Sequence, residues 1–178
     1  MLLAGRFGPI SFPAPDSSRL TVRAVIASLA KAGESGDPLH DLPERHTERV
    51  IELIRQIPKD GGSRAALGKD KQLECHRKCN GFKDVYGRVA WEREAPTITS
   101  GCTNPSKGRF LHPDEDRALT LREAALLQGF PLRYRFSLDG GKSGAASMIG
   151  NALPPECVKR HAVEVRQYLK RQTMLSKG

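Results

Sequence analysis

Cysteine is the residue type whose chemistry is easiest to recognise in this sequence of 178 residues. Cys75 and Cys79 flank His76 in "CHRKC", and cysteines close to a histidine favour a zinc site. The C-x3-C spacing is looser than that of the usual zinc knuckle, no second close pair follows, and Cys102 and His112 stand alone. We therefore expect free thiols and no metal, with a small zinc-binding protein as the weakest alternative.

A second stretch with unusual residue types is "MIGNALPPECVKRHAVEV", residues 148–165. Gly150 permits a close backbone approach, and Asn151 follows it directly. Pro154 and Pro155 then favour the start of a helix. The pattern predicts a constrained turn that holds a loop against a ligand, although a turn before any helix would use the same residues.

Charge narrows the class of partner. The chain has 29 Lys and Arg residues against 20 Asp and Glu residues, a net charge of +9. Such an excess attracts polyanions, of which nucleic acid is the most common, although a solvated basic face would have the same composition. No apolar run reaches the roughly 20 residues of a membrane span, and the apolar start is too short for a secretory signal. We expect a cytoplasmic protein with no membrane partner.

The first sixty residues predict a strand and two helices that would position such residues. Residues 1–12 read as a short strand ending in a proline-rich turn. Thr21 is placed to cap a helix in "TVRAVIASLA". The segment "ERHTERVIELIRQIP" predicts a longer amphipathic helix that Pro58 ends.

The following segments change pattern. "VYGRVAW" and "APTITSG" alternate apolar and polar residues, which predicts two strands. Thr120 and Glu123 form the capping box of a helix that Gly129 ends. Residues 132–147 predict loop and turn, with "DGGKSGAAS" as a mobile segment. A final helix is predicted over residues 155–170.

Four blocks in a set order carry a resemblance to a known family: "DVYGRVAWEREAPTITSG", "NPSKGRFLHP", "RALTLREAALLQGFP" and "IGNALPPE". Together they resemble the C-terminal part of a DNA cytosine-C5 methyltransferase. "RALTLREAALLQGFP" is similar to that family's motif nine and "GNALPP" to its motif ten, while "APTIT" resembles the threonine signature of its target recognition domain. The resemblance is good over residues 84–165 and looser over residues 1–60.

The resemblance implies an α+β fold: a small mixed recognition domain, plus a C-terminal loop-helix and an N-terminal strand that belong to an incomplete S-adenosylmethionine-dependent methyltransferase α/β domain. Residues 1–19 would be the exit strand and linker of the catalytic domain. Residues 20–133 would form the target recognition domain with the motif-nine-like helix. Residues 134–178 would be the return loop, the motif-ten-like segment and the C-terminal helix.

The resemblance also implies a chemistry. A cytosine flipped out of double-stranded DNA is attacked by a cysteine thiolate and then methylated at C5 by S-adenosyl-L-methionine. Gly150, Asn151 and Ala152 would lie beside the methyl donor, in a pocket only partly present in this chain.

The chemistry also requires motifs that this sequence does not contain. No cysteine here lies in a Pro-Cys-Gln motif, and the Phe-x-Gly-x-Gly and Glu-Asn-Val motifs are missing too. We therefore expect no catalytic residue in this chain, no activity from it alone, and a separate chain carrying the catalytic half. The alternative is a non-enzymatic DNA-binding module or a truncated remnant.

Five residues are candidates for DNA contact. The resemblance implies that Thr97 or Thr99 lies near the backbone of the flipped nucleotide, and the sequence leaves the choice open. Arg88, Lys107 and Arg109 are the cations most suited to DNA, since the guanidinium fork of arginine matches guanine O6 and N7. Each of these cations would otherwise be an exposed charge that touches only phosphate or water.

Two further groups have predicted structural roles. Arg117, Arg122 and Glu123 are expected to order the recognition domain, with arginine held by carboxylates or carbonyls. The final helix carries an apolar stripe that nothing else in the sequence is obviously placed to cover, formed by Val158, Ala162, Val165 and Leu169.

Overall fold

The computed structural model describes residues 5–6, 8–15, 18–43, 45–68 and 84–175. The chain divides into two compact units, residues 20–152 and residues 1–19 with 153–178. The domain boundaries expected from the resemblance, between residues 19 and 20 and between residues 133 and 134, describe functional domains and not compact units. They stay a prediction. Cys75, His76 and Cys79 lie outside the described residues, so the zinc hypothesis is not addressed by the fold.

Six α-helices are described. Five lie in the unit of residues 20–152: α1 Val22–Ile26, α2 Pro38–Asp41, α3 Glu48–Gln56, α4 Leu121–Leu127 and α5 Gly141–Asn151. The same unit contains short 3-10 helices at Arg64–Ala66 and Pro105–Lys107. The sixth, α6 Pro155–Leu175, lies in the other unit.

The predicted N-terminal helices are confirmed. The Thr21 hydroxyl accepts a hydrogen bond from the backbone N–H of Ala24 and caps α1. Helix α3 begins after Thr47 and ends before Pro58, and it buries Leu53 and Ile54. These two side chains belong to a small core on one side of the unit, because the apolar stripe of α3 has to be removed from water.

Helix α4 also forms as predicted. The Thr120 hydroxyl accepts from the Glu123 N–H at 3.1 Å, and a Glu123 carboxylate oxygen accepts from the Thr120 N–H at 2.8 Å. Gly129 then adopts a φ of 92°, which favours glycine and stops the helix. The local sequence was sufficient to predict both ends of α4, because the residues that cap it lie within a few positions of the helix.

The two predicted strands of the central segment are wrong as regular strands. The described residues contain isolated bridges, Arg88 with Leu111 in parallel and Leu111 with Ala118 in antiparallel orientation. The neighbouring backbone is extended but its partners are loops, as where Arg88 N–H donates to Gly62 O at 2.9 Å. Alternation of apolar and polar residues indicates an extended segment with one buried side. It does not show whether that segment pairs with another strand or with a loop.

The N-terminal strand is also not seen in the described part of residues 1–12, namely 5–6 and 8–12. Helices dominate the described residues, and the mixed α+β class stays a prediction.

The predicted mobile loop at 132–147 is wrong in its second half, because α5 begins at Gly141. Glycine and serine are poor helix formers, so local propensity argues against this helix. Ala145, Ala146 and Ile149 are buried in the main core, and this packing supplies the stability that the sequence lacks locally. Gly150 and Asn151 consequently lie in the last turn of a helix and not in a loop.

Helix α6 confirms the predicted C-terminal helix and continues beyond residue 170 to Leu175. Within its own unit, Tyr168 is buried and lies against Gly5. Val158 and Leu169 on the predicted apolar stripe are 44% and 53% exposed. No described helix is long and apolar enough to cross a membrane.

Candidate nucleic-acid interface

A cavity of about 390 Å³ brings together two of the residues predicted to contact DNA, Thr99 and Lys107. Its lining is made of small hydroxyl and amide residues and one cation: Thr99, Ser100, Gly101, Thr103, Asn104, Lys107, Ser143 and Ala146. Hydroxyl donors beside an ammonium group are the types that bind the oxygens of a phosphodiester backbone. This cavity is the candidate interface.

The loop of the cavity is held by its own hydrogen bonds. Asn104 Oδ1 accepts from the N–H and the hydroxyl of Ser106, at 2.9 and 2.8 Å, and so caps the 3-10 helix Pro105–Lys107. A Cβ on Gly101 would lie 2.6 Å from Lys107 Cβ, so glycine is needed where the lysine stem crosses the loop. Lys107 is thereby presented at the cavity while remaining exposed.

The structure distinguishes the two threonines. Ile98 is buried in the core, and the flanking Thr97 and Thr99 are both exposed, as the alternation predicts. Thr99 lines the cavity with Lys107. Its hydroxyl oxygen accepts from the Gly101 N–H at 3.4 Å, which leaves the O–H free to donate to a ligand. Thr99 is thus the predicted threonine that lies at the cavity.

Arg88 does not fit the predicted DNA contact. Its side chain is 0% exposed, so it cannot reach a base edge without the fold opening. The guanidinium donates to acceptors on two neighbouring segments: Ile54 O, Ile57 O, His112 O, Glu115 O and Asp116 Oδ1, all at 2.6 to 3.1 Å. Because its donors are used internally, Arg88 joins α3 to the segment around residue 115 and acts as a structural residue.

Arg109 is also committed to the protein. It donates to the carbonyl oxygens of Gly61, Gly62 and Arg88 at 2.8, 3.2 and 3.0 Å. Its other nitrogens pair with Asp84 at 3.1 and 3.3 Å. The predicted DNA contact therefore does not fit Arg109 in this arrangement, and of the three predicted cations only Lys107 lines the cavity.

Arg117 and Glu123 are held by each other, as expected of an arginine bound by carboxylates, and their role in ordering a recognition domain stays a prediction. Arg117 donates to both carboxylate oxygens of Glu123, which is 2% exposed, and also to Glu115. Burial works to raise the pKa of Glu123, but hydrogen bonds and charge from Arg117 outweigh it and hold that pKa below the ordinary value. Burial, together with the charge of Arg117, lowers the pKa of His112 beside this pair.

Arg122 connects α4 to the loop before α2. It forms an ion pair with Asp37 and donates to the carbonyl oxygen of Tyr134 at 2.9 Å. Burial works to raise the pKa of Asp37, but the hydrogen bond from Arg122 and the N–H of Leu39 prevail and lower it. Arg122 thus joins distant parts of the chain, whereas the partners of Arg117 lie within six positions of it.

The Gly150–Ala152 segment is arranged differently from the predicted cofactor wall. A Cβ on Gly150 would lie 2.1 Å from the carbonyl carbon of Thr99, so this side of the glycine faces protein backbone. The Ala152 carbonyl accepts from the Gln128 side chain at 2.7 Å. Asn151 is exposed at the end of α5. The residues fit a methyl donor in part, because Asn151 is exposed while Gly150 and Ala152 are half-buried.

The two described cysteines differ in burial. Cys102 is fully buried, and burial raises the pKa of its thiol to about 11. Cys157 is half-buried on α6, with its sulfur 3.7 Å from His161 Nδ1. In the described ranges, no group of three or more His, Cys, Asp or Glu residues is placed to hold a metal ion.

Six lining residues were not identified from the sequence: Ser100, Gly101, Thr103, Asn104, Ser143 and Ala146. Asn104 had a usable signal, since an Asn-Pro dipeptide marks a turn and "NPSKG" lies within a matching block. Ser143 had none, because it lies on a helix that local propensity does not predict. It reaches the cavity only through the packing of α5.

This chain is similar to a family and to individual proteins that are named as methylases or methyltransferases. A family model described as C-5 cytosine-specific DNA methylase matches residues 11–167. The chain is 38% identical over 163 residues to Type II methylase M.HgiDII of Herpetosiphon aurantiacus, which covers 87% of this chain and 45% of that protein. It is 42% identical to Type II methyltransferase M1.BsuMI of Bacillus subtilis (strain 168), over 49% of this chain and 21% of the relative. DNA (cytosine-5)-methyltransferase 3 of Arabidopsis thaliana is 35% identical over 67% of this chain and 8% of its own length.

The chain therefore spans less than half the length of these curated relatives. The family match nevertheless includes the cavity, the capped helix α4 and the Gly-Asn segment of α5. On the length of that match, the chain belongs to the C-5 cytosine-specific DNA methylase family.

Proposed function

We propose that this chain is the C-terminal, DNA-recognising portion of a DNA (cytosine-5-)-methyltransferase, which transfers a methyl group from S-adenosyl-L-methionine to cytosine C5. The observation that supports this most is the cavity shared by Thr99, Lys107 and Ser143, in the region that the family model matches. Its hydroxyl and ammonium groups suit the sugar-phosphate backbone of double-stranded DNA. Binding through a backbone positions the duplex without specifying its sequence.

This chain supplies few of the residues that would bind the methyl donor. S-adenosyl-L-methionine, when bound, provides the methyl group. Asn151 is the residue we assign to it, because its amide is exposed and both donates and accepts hydrogen bonds. Gly150 and Ala152 act instead within the protein, on the Thr99 backbone and on Gln128.

The cysteine nucleophile is proposed to come from a separate chain. No cysteine in the 178 residues lies in a Pro-Cys-Gln sequence, and Cys102 is buried with a raised pKa. Relatives matched by this chain are more than twice its length. We therefore propose that the chain alone does not methylate DNA and that a second chain supplies the catalytic half.

Helix α6 offers a surface for that second chain. Along it runs a groove of about 930 Å³ lined mainly by apolar and aliphatic groups, including Val158, Val165 and Leu169. Contiguous exposed apolar surface of this kind marks an interaction site. If the catalytic half docks here, amide protection in residues 155–170 should rise when the two chains are mixed, and protection that is already complete in the isolated chain would contradict the assignment.

A non-enzymatic DNA-binding module is the second candidate, favoured by the missing nucleophile motif alone. Both candidates predict binding to duplex DNA that weakens steeply with salt, because counterions compete for the phosphates. They differ in methyl transfer.

The deciding experiment measures transfer of labelled methyl groups to DNA by this chain, by the product of the upstream reading frame, and by their mixture. Activity only in the mixture is expected, and the Lys107→Ala variant should then reduce it through weaker DNA binding. Lys31→Ala is the matched control, since Lys31 is an exposed lysine paired with Glu34. An inactive mixture that still binds DNA would leave the binding module as the function.

A further inference from the structure

In the Gly-Asn segment, α5 lies close to the loop that carries Thr99. A Cβ built on Gly150 would lie 2.1 Å from Thr99 C, 2.2 Å from Ser100 N and 2.4 Å from Thr99 O. These atoms are backbone, so a side-chain rotation cannot relieve the clash. Only glycine allows the last turn of α5 to lie directly on the Thr99–Ser100 peptide.

The same face of α5 forms a wall of the cavity. Ser143 and Ala146 line it, and Gly150 follows them at helical spacing, so the three residues lie along one face of the helix. Ala145 and Ile149 are 0% exposed and anchor α5 in the main core. The helix is therefore held rigidly while one of its faces touches both the cavity and the loop opposite.

We infer that Gly150 is a positioning residue for DNA binding: it seats the Thr99–Ser100 backbone on α5 and so sets the separation between the Thr99 hydroxyl and the Ser143 wall. This inference rests on the proposed function, since it assumes that the cavity takes a DNA phosphate. It assigns Gly150 a role different from the methyl-donor approach predicted from the sequence.

The expected consequence of adding a side chain follows from the distances. A β-carbon at residue 150 requires the Thr99 peptide to retreat by roughly 1 Å before the contact becomes ordinary, and a misplacement of that size can remove a functional contact. The Thr99 hydroxyl would then no longer reach the phosphate that Lys107 and Ser143 hold. The loop itself would still be present, because Ile98 remains anchored in the core.

Gly144 provides a matched control on the same helix. A Cβ on Gly144 meets nothing within 4 Å, so Gly144→Ala adds the same methyl group without a clash. We would measure binding of the full chain to a labelled duplex of mixed sequence, with circular dichroism to monitor folding. Gly150→Ala should weaken binding about tenfold, which is about 1.4 kcal/mol, while Gly144→Ala should bind like the unchanged chain.

A double-mutant cycle separates positioning from general loss of stability. Thr99→Val should weaken binding about tenfold in the unchanged chain and have little further effect in the Gly150→Ala background, because the contact is already lost. If the two effects multiply, or if Gly150→Ala binds DNA normally, the inference is overturned. If Thr99→Val has no effect in the unchanged chain, the proposed DNA cavity itself fails.

Should Gly150→Ala not fold, a cycle between Ser143→Ala and Thr99→Val decides the question. If Ser143 and Thr99 hold the same phosphate from opposite sides of the cavity, their losses of DNA affinity should be coupled. The double variant should then bind about as weakly as either single variant. Independent losses, or no loss from Ser143→Ala, would overturn the inference, because α5 would then not set the position at which Thr99 acts.

Discussion

Arg117 holds Glu123 by two parallel hydrogen bonds of 2.8 and 2.7 Å, one to each carboxylate oxygen, at the start of α4. The same carboxylate accepts from the Thr120 N–H, so it serves both as ion-pair partner and as helix cap. One buried side chain thus joins the helix start to the segment that precedes it. Its removal affects two interactions at once.

Glu123→Ala is expected to destabilise the chain by about 2–4 kcal/mol, because it leaves the half-buried Arg117 with Glu115 as its remaining carboxylate partner and removes half of the capping box. Urea unfolding followed by circular dichroism measures the change. Glu48→Ala is the control, since Glu48 pairs with Arg55 at an exposed site and should cost less than about 1 kcal/mol. Equal losses from the two variants would contradict the assignment.

Stability is expected to fall at acid pH. Arg117 holds the pKa of Glu123 below its usual 4.5, with burial opposing it, so the folded chain binds fewer protons than the unfolded chain below that pH. The stabilisation is complete above pH 4.5 and is lost as the pH falls through the folded-state pKa. The pKa of His112 is lowered from 6.5, mainly by burial, so the unfolded chain binds this proton more readily than the folded chain. His112 therefore adds a loss of folding stability that begins as the pH falls below 6.5. Urea midpoints measured against pH check this. Glu123→Gln should flatten the acid part of the curve, and because it removes a charge that raises the pKa of His112, it should deepen the loss of stability below pH 6.5.

Arg88→Lys is expected to destabilise the fold by about 3 kcal/mol or more, since a single ammonium group cannot satisfy five acceptors and must be buried. The folded fraction should bind DNA with unchanged affinity. Unfolding and duplex-binding measurements on the same preparation check both statements. A stable variant with weakened binding would restore the DNA contact predicted from the sequence.

Lys107→Ala is expected to reduce the salt dependence of DNA binding. Removing one lysine-phosphate contact lowers the slope of log affinity against log salt by about 1. Titrations at several salt concentrations measure this slope, with Lys31→Ala as the matched loss of one positive charge. A slope that Lys31→Ala reduces equally would show that Lys107 contributes only net charge.

Cys102 is expected to react slowly with alkylating reagents near neutral pH, because the thiol is buried and its pKa is raised to about 11. Cys157 is partly exposed and should react faster. Mass spectrometry of peptides after timed alkylation compares the two residues. Rapid labelling of Cys102 in the folded chain would show that the segment opens and that this thiol is accessible.

Short-range patterns predicted the helices well. The caps at Thr21 and Thr120, the stop at Gly129 and the extent of α3 all depend on residues a few positions apart, so they can be recognised without the fold. The alternation around Ile98 correctly predicted one buried and two exposed residues. The strands that the same alternation predicted do not form in the described residues, because strand pairing depends on segments far away in the chain.

The candidate site was predicted in part. Thr99 and Lys107 were named from the sequence, and the structure places both at one cavity. Arg88 and Arg109 were named on the same grounds but are held by carbonyl and carboxylate groups up to 48 residues away. Residue type shows that an arginine is able to bind DNA, whereas burial decides whether its donors remain available.

By itself, the sequence determined the family, the helix caps and the basic character, because each of these depends on residue type and short spacing. Tertiary structure alone decided that "DGGKSGAAS" leads into a helix, that Gly150 lies on the Thr99 backbone and that Arg88 is a core residue. The physical reason is the same in all three cases. Long-range packing supplies free energy that outweighs local propensity, and it determines which polar groups remain exposed to a ligand.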